Sequence, residues 1–179
     1  ERLRRRDKPM PFYAWTMSAG PSFESPSALG FQAHVRGGGD AALCFIRASF
    51  PPEAYAGDAG ADRFVELVAR WSAMLPLAHG YAGLALNQSE ADRQMRSWIL
   101  PRIGSRFPGF EIEDCGGTAL RGREAIKGVN WLTLVGDRFL ERLGGIASLR
   151  ARLDPAIQIR PIERRGALPT SSLLAPRTV

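Results

Sequence analysis

A chain of 179 residues, 45% hydrophobic with four tryptophans, is long enough to bury a core as one domain and too apolar to be intrinsically disordered. No apolar run approaches the roughly 20 residues of a helical membrane span, and the basic start Glu1-Arg2-Leu3-Arg4-Arg5-Arg6 leads into no apolar segment, so neither an anchor nor a secretory signal is expected. The formal charge of +6 suggests nucleic acid only until it is mapped. Residues 1–8 carry a net +3 and residues 160–179 another +3, while the stretch between them balances 15 basic against 15 acidic side chains. The basicity therefore belongs to two ends, 1–8 and 163–179, expected to be flexible, around a single folded domain over 9–162. Cys44 and Cys115 share no metal-type spacing and read as reduced, mostly buried thiols, with a single disulfide the alternative in the periplasm. The expected location is the cytoplasm; a leader trimmed from this chain, which does not begin with Met, would place it in the periplasm.

In chain order, Phe12 to Met17 reads as an aromatic-rich strand, and Ser18 to Ser27, with Gly20-Pro21 and Ser25-Pro26, as a loop. Phe31 to Arg36 alternates apolar and polar as a half-buried strand does. Gly37-Gly38-Gly39-Asp40 supplies the positive φ values of a hairpin turn, and Ala41 to Phe50 returns as a third strand stopped by Pro51-Pro52. A helix is expected over Ala59 to Leu75, with Phe64, Val65, Val68, Trp71 and Leu75 on one face. Tyr81 to Leu86 follows as a strand whose Ala82, Gly83 and Ala85 leave room for a close neighbour.

A helix beginning at Glu90, capped by Ser89, would bury Met95, Trp98, Ile99 and Ile103, with a kink at Pro101 or an end just before it. Phe110 to Glu113 reads as a short edge strand, and Val129 to Val135 as a buried strand between Gly128 and Gly136. Asp137 is placed as the cap of a short helix closed by Gly144-Gly145. A last helical turn or two over Ala147 to Leu153 and a strand over Ile157 to Arg160 complete the domain. The order implies an α+β fold, mainly antiparallel sheet opened by a β-meander with about three helices packed on it.

No catalytic pattern is present. His34 and His79 stand in no metal-type spacing, and His34 reads as a solvent-facing strand histidine. The glycine run 37–39 lacks the Lys-Ser/Thr of a phosphate loop. Glu111, Glu113, Asp114, Glu124 and Lys127 have a faint likeness to a metal-dependent nuclease, but Glu124 and Lys127 would face opposite ways on a strand. No catalytic residue, cofactor or metal is expected, and the chain reads as a binder rather than an enzyme. Aromatic side chains are the candidate partner anchors: Tyr13, Trp15, Tyr55 and Tyr81.

The string Tyr81-Ala82-Gly83-Leu84-Ala85-Leu86-Asn87, followed by Ile126-Lys127-Gly128-Val129-Asn130-Trp131-Leu132-Thr133, Gly136-Asp137 and Leu140 to Gly145, resembles the type VI secretion immunity family, formerly a domain of unknown function. The resemblance covers about residues 10 to 162 and departs from the family after Ile162. It implies a protein that neutralises a type VI effector toxin by direct protein–protein contact. That toxin would be restriction-endonuclease-like, and occlusion or blocked assembly the means. Gly83, Lys127, Gly128, Asn130 and Trp131 carry the motif and are expected to be structural, with Asn130 hydrogen-bonding a neighbouring loop. The expected partner is thus a cognate effector toxin, with no membrane contact and a homo-oligomer left open. The alternative is a nucleic-acid-binding accessory protein using the Arg-rich ends.

Overall fold

The structure, a computed structural model, describes residues 12–22, 25–36, 44–86, 98–107, 110–111, 122, 124–163 and 171–176. It is an α+β fold with two antiparallel sheets. Strands β1 (Phe12–Ser18), β2 (Gly30–Arg36) and β3 (Phe45–Ser49) form a meander, in the order β1-β2-β3. A 3-10 turn (Pro52–Tyr55) leads into helix α1 (Asp58–Met74) and then β4 (His79–Ala82). After α2 (Leu100–Arg106) come β5 (Leu132–Val135), α3 (Asp137–Arg142), α4 (Gly145–Arg152), β6 (Ile157–Ile162) and β7 (Ser171–Pro176). The second sheet has the order β4-β5-β7-β6, antiparallel throughout.

The core lies around β5. All four of its residues are buried, Leu132 and Val135 almost completely. Leu132 and Leu134 face α1, whose Phe64, Val65 and Val68 pack on them together with Ile162 of β6. The opposite face carries Thr133 and Val135 beside Tyr81 and His79 of β4, and the His79 ring meets Phe139 of α3 edge-on at 5.7 Å. A strand covered on both faces needs an almost wholly apolar run, and Leu-Thr-Leu-Val provides it once the Thr133 hydroxyl is bonded to Asn130.

Gly136 is required where β5 turns into α3. A Cβ there would lie 2.0 Å from the Leu77 carbonyl oxygen, while the Gly136 amide donates to Ala78 at 2.9 Å. Gly144 and Gly145, both at positive φ, make the sharp α3–α4 corner.

Several boundaries differ from the sequence reading. The strand expected over 129–135 begins only at Leu132, because Val129 is 83% exposed and the preceding loop is held elsewhere. Ordered pairing at Tyr81 stops at Ala82; beyond it Ala85 bridges to Glu111, and the rest of the strand expected over Phe110 to Glu113 lies outside the described residues. Pro101 sits in the first turn of α2, which follows directly on the π-helical residues Trp98 and Ile99; of the helix expected from Glu90, the part before Trp98 lies outside the described residues. Trp98 and Ile99, expected in the core, are exposed. Gly136, not Asp137, is the N-cap of α3, and no side chain caps that helix. Cys44, expected to be mostly buried, is an exposed thiol.

The folded part also continues past 162: β7 lies between β5 and β6, within the segment read as a flexible end. Arg160, counted with that end, ion-pairs with Glu66 of α1 and fastens α1 to β6. The 1–8 end, the 37–40 turn, Glu90 to Met95, Glu113, Asp114 and Cys115 lie outside the described residues.

Two predictions follow from this core. Gly136→Ala should lower stability by about 1–3 kcal/mol or more by forcing apart β5 and the Leu77–Ala78 backbone. Gly128→Ala, with open space around it, should be near neutral in the same urea titration. Burial pushes the His79 pKa down, only partly offset by its hydrogen bond with the Gly122 backbone. Its contribution is therefore present in full above pH 6.5 and lost progressively as the pH falls from there through the lower folded value. Unfolding midpoints measured between pH 5 and 8 should show that decline in the wild type and a flatter profile in His79→Gln.

Candidate partner-binding site

Antiparallel register decides which side chains share a face of the meander. Tyr13 pairs with Val35, Trp15 with Ala33 and Met17 with Phe31, while Ala33 and Phe31 pair with Ile46 and Ala48. These eight residues form one face, entirely uncharged. The other face carries His34, Phe45, Gln32 and Arg47; His34 stacks on Phe45 at 4.2 Å, and Arg47 donates to Gln32. The apolar face is the open one: Tyr13 is 40%, Trp15 59% and Met17 63% exposed, with Val35 and Ile46 nearly half exposed. Among the described residues the meander contributes no buried hydrophobic side chain, and Gln32 is its sole buried residue. A sheet whose apolar face meets solvent and whose polar face is the better covered is inverted relative to an ordinary domain sheet. Contiguous exposed apolar surface of this kind makes the face the candidate interaction surface.

The meander is joined to the core by a chain of rings. Phe50, just past β3, meets Tyr55 at 5.5 Å and Trp71 at 6.3 Å; Tyr55 meets Phe64 at 5.1 Å, and Phe64 lies parallel to Trp131 at 5.8 Å. Tyr55 is thus a link in the scaffold.

A polar clasp gathers the residues around Trp131. Lys127 ion-pairs with one oxygen of Glu111, and Asn130 Nδ2 donates to the other at 2.9 Å. Lys127 Nζ also donates to the Tyr81 hydroxyl at 3.4 Å and lies 5.3 Å from that ring's centre. Glu111 is held in place by its own backbone, its amide donating to Leu84 at 2.8 Å and its carbonyl accepting from Leu86. The Asn130 amide donates to Thr133 Oγ1, so the clasp is tied directly to β5. A Cβ at Gly83 would meet Asn130 and Trp131 at ordinary contact distances of 3.6 and 3.7 Å. The Glu111 and Lys127 side chains keep only 14% and 27% of their surface, enough shielding to make the pair more than a screened surface contact. Burial works against the Lys127 charge, yet the Glu111 carboxylate and Tyr81 together hold its pKa above the ordinary lysine value.

Of the four candidate anchors, Tyr13 and Trp15 stand side by side on the open face, while Tyr55 and Tyr81 are drawn into the scaffold and the clasp. Met17 completes the exposed row and was foreshadowed by the Tyr13-x-Trp15-x-Met17 alternation. Glu111 lies outside the motif, 16 residues from Lys127; the sequence grouped the two only in a faint nuclease-like cluster, and the structure joins them as an ion pair. Trp131 is 38% exposed rather than enclosed. Among the described residues no three His, Cys, Asp or Glu side chains converge as metal ligands would.

Glu111→Ala, which removes the carboxylate that Lys127 and Asn130 share, should cost about 1–3 kcal/mol and speed amide exchange across 126–131. Because the Lys127 pKa is raised, the clasp's share of stability is fully present below pH 10.5 and is lost as the pH climbs through the folded value. Exchange in Lys127→Met should therefore lack the alkaline opening of the wild type.

The family model for type VI immunity for VRR-NUC matches residues 27–169, taking in β2 through β6 and the whole clasp. No curated protein matches the chain. Among solved structures, the Pseudomonas aeruginosa T6SS protein PA0821 is similar in fold, with a TM-score of 0.73 at 20% identity over 92% of this chain. The chain spans 45% of that protein's length. The fold likeness and the family match agree, and the match runs over most of the sequence: the chain belongs to the type VI immunity family for VRR-NUC.

Proposed function

We propose that this protein neutralises a VRR-NUC nuclease toxin of a type VI secretion system by binding it directly and covering a surface the toxin needs. The family match is the observation that carries the reading. The site supports it: an inhibitor of this kind requires a rigid scaffold and an apolar patch with aromatic anchors, not an acid–base pair. Tyr13 and Trp15, with Met17 next along the same face of β1, are the proposed anchors, since they are large, exposed and held in line by the β1–β2 register. The role is non-catalytic. Because a nuclease acts on nucleic acid inside the cell, the cytoplasm is the proposed place of encounter.

Co-expression with the nuclease encoded beside it tests the reading. Growth should be restored by the wild-type protein, and the two proteins should co-purify. Tyr13→Ala combined with Trp15→Ala should weaken the complex by about two to four kcal/mol, roughly 30- to 1,000-fold in Kd, by calorimetry. A nuclease that stays toxic beside folded wild-type protein would sink the proposal.

A further inference from the structure

Natural sheets protect their edges with charges, prolines, bulges or very short strands. Three of the four edges here follow that rule. β6 carries Arg160 and Pro161, β3 carries Arg47, and β4 is four residues long. The fourth edge, β1, runs seven residues, Phe-Tyr-Ala-Trp-Thr-Met-Ser, with no charge and no proline, and its outer side pairs with nothing among the described residues.

The register shows what this edge would accept. The Ala19 amide donates to the Leu29 carbonyl directly opposite, which makes Ala19 and Leu29 a hydrogen-bonded pair. By the alternation of an antiparallel ladder, Met17, Trp15 and Tyr13 also aim their backbone groups at β2. Phe12, Ala14, Thr16 and Ser18 therefore aim theirs outward. In a fully overlapped antiparallel pairing of β1 with another β1, Ala14 meets Thr16 and Phe12 meets Ser18, the residues whose backbone groups are available. Trp15 then faces Trp15, and Tyr13 faces Met17, as close non-hydrogen-bonded pairs on the same face. The strand is self-complementary in hydrogen bonding and in side chains about one two-fold axis.

We infer that β1 is the interface of a homodimer, in which two meanders join edge to edge into one six-stranded sheet with a continuous apolar face. About eight backbone hydrogen bonds and the two kinds of apolar cross-strand pair hold it. A strand-to-strand contact of this length buries less than the roughly 800 Å² per partner of a standard interface, so the association is micromolar and depends on concentration. This dimer does not depend on the immunity reading; its consequence there is a doubled apolar face.

Sedimentation of the 179-residue chain without toxin, from about 5 to 500 μM, reads the equilibrium. Wild type should shift from monomer to dimer across that range. Thr16→Pro removes an outward amide that pairs with no strand among the described residues, so it should abolish the dimer while leaving the circular dichroism unchanged. Trp15→Lys and Trp15→Glu should each be monomeric alone, because each places like charges opposite one another, and should form a heterodimer when mixed. That recovery also shows that both variants fold. A wild type monomeric at 500 μM, a dimer that survives Thr16→Pro, or a Lys/Glu mixture that stays monomeric would overturn the inference. A monomeric wild type whose toxin binding is lost in Thr16→Pro would assign the edge to a strand of the toxin instead.

Discussion

Strand β5 is short and has no exposed side, so its position constrains nearly everything else. Leu132, Thr133, Leu134 and Val135 are all buried, and each fully enclosed aliphatic side chain contributes about 1.5–3 kcal/mol. Burying both faces at once requires α1 on one side and α3 on the other, with β4 and β7 as hydrogen-bonding neighbours. The chain leaves β5 so tightly against the Leu77–Ala78 backbone that only glycine fits at 136. Thr133, the one polar residue of the strand, is accommodated because its hydroxyl bonds to Asn130 just before the strand begins.

That hydroxyl is also where the core meets the clasp. Glu111 accepts from Lys127 and Asn130, while its backbone is fixed to Leu84 and Leu86. Three segments distant in sequence thereby meet at one residue, its own and two others held through its carboxylate and its backbone. The loop it holds leaves Val129 in solvent and lays Trp131 flat on Phe64. From Phe64 the ring chain runs through Tyr55 and Phe50 to the end of β3, so the meander is attached to the core by aromatic contacts.

The meander itself has the opposite character from β5. Its strands pair well with one another but bury no hydrophobic side chain among the described residues, and its apolar face is the exposed one. Its exposed face is uncharged and held in register by the β1–β2 and β2–β3 pairing.

Much of this was legible in the chain, and for identifiable reasons. Aromatic content marked β1, alternation marked β2, the three- and four-residue spacing of Phe64, Val65 and Val68 marked α1, and glycines at 136, 144 and 145 bounded the elements around them, because these signals arise from local backbone geometry and one-sided burial. The family was legible through the strings around Gly83 and Lys127 to Thr133. What the sequence could not determine was anything fixed by partners far along the chain. Strand β7 was hidden in a segment without clear periodicity, since its place depends on the gap between β5 and β6. Val129 read as core, because an apolar residue next to a buried strand looks the same whether the strand includes it or a clasp holds it out. Tyr13 and Tyr55 were equal candidates by residue type, and only the tertiary structure separated them. One lies on a sheet face that nothing in the described chain covers; the other is packed between Phe50 and Phe64, and burial, unlike composition, is a property of the whole fold.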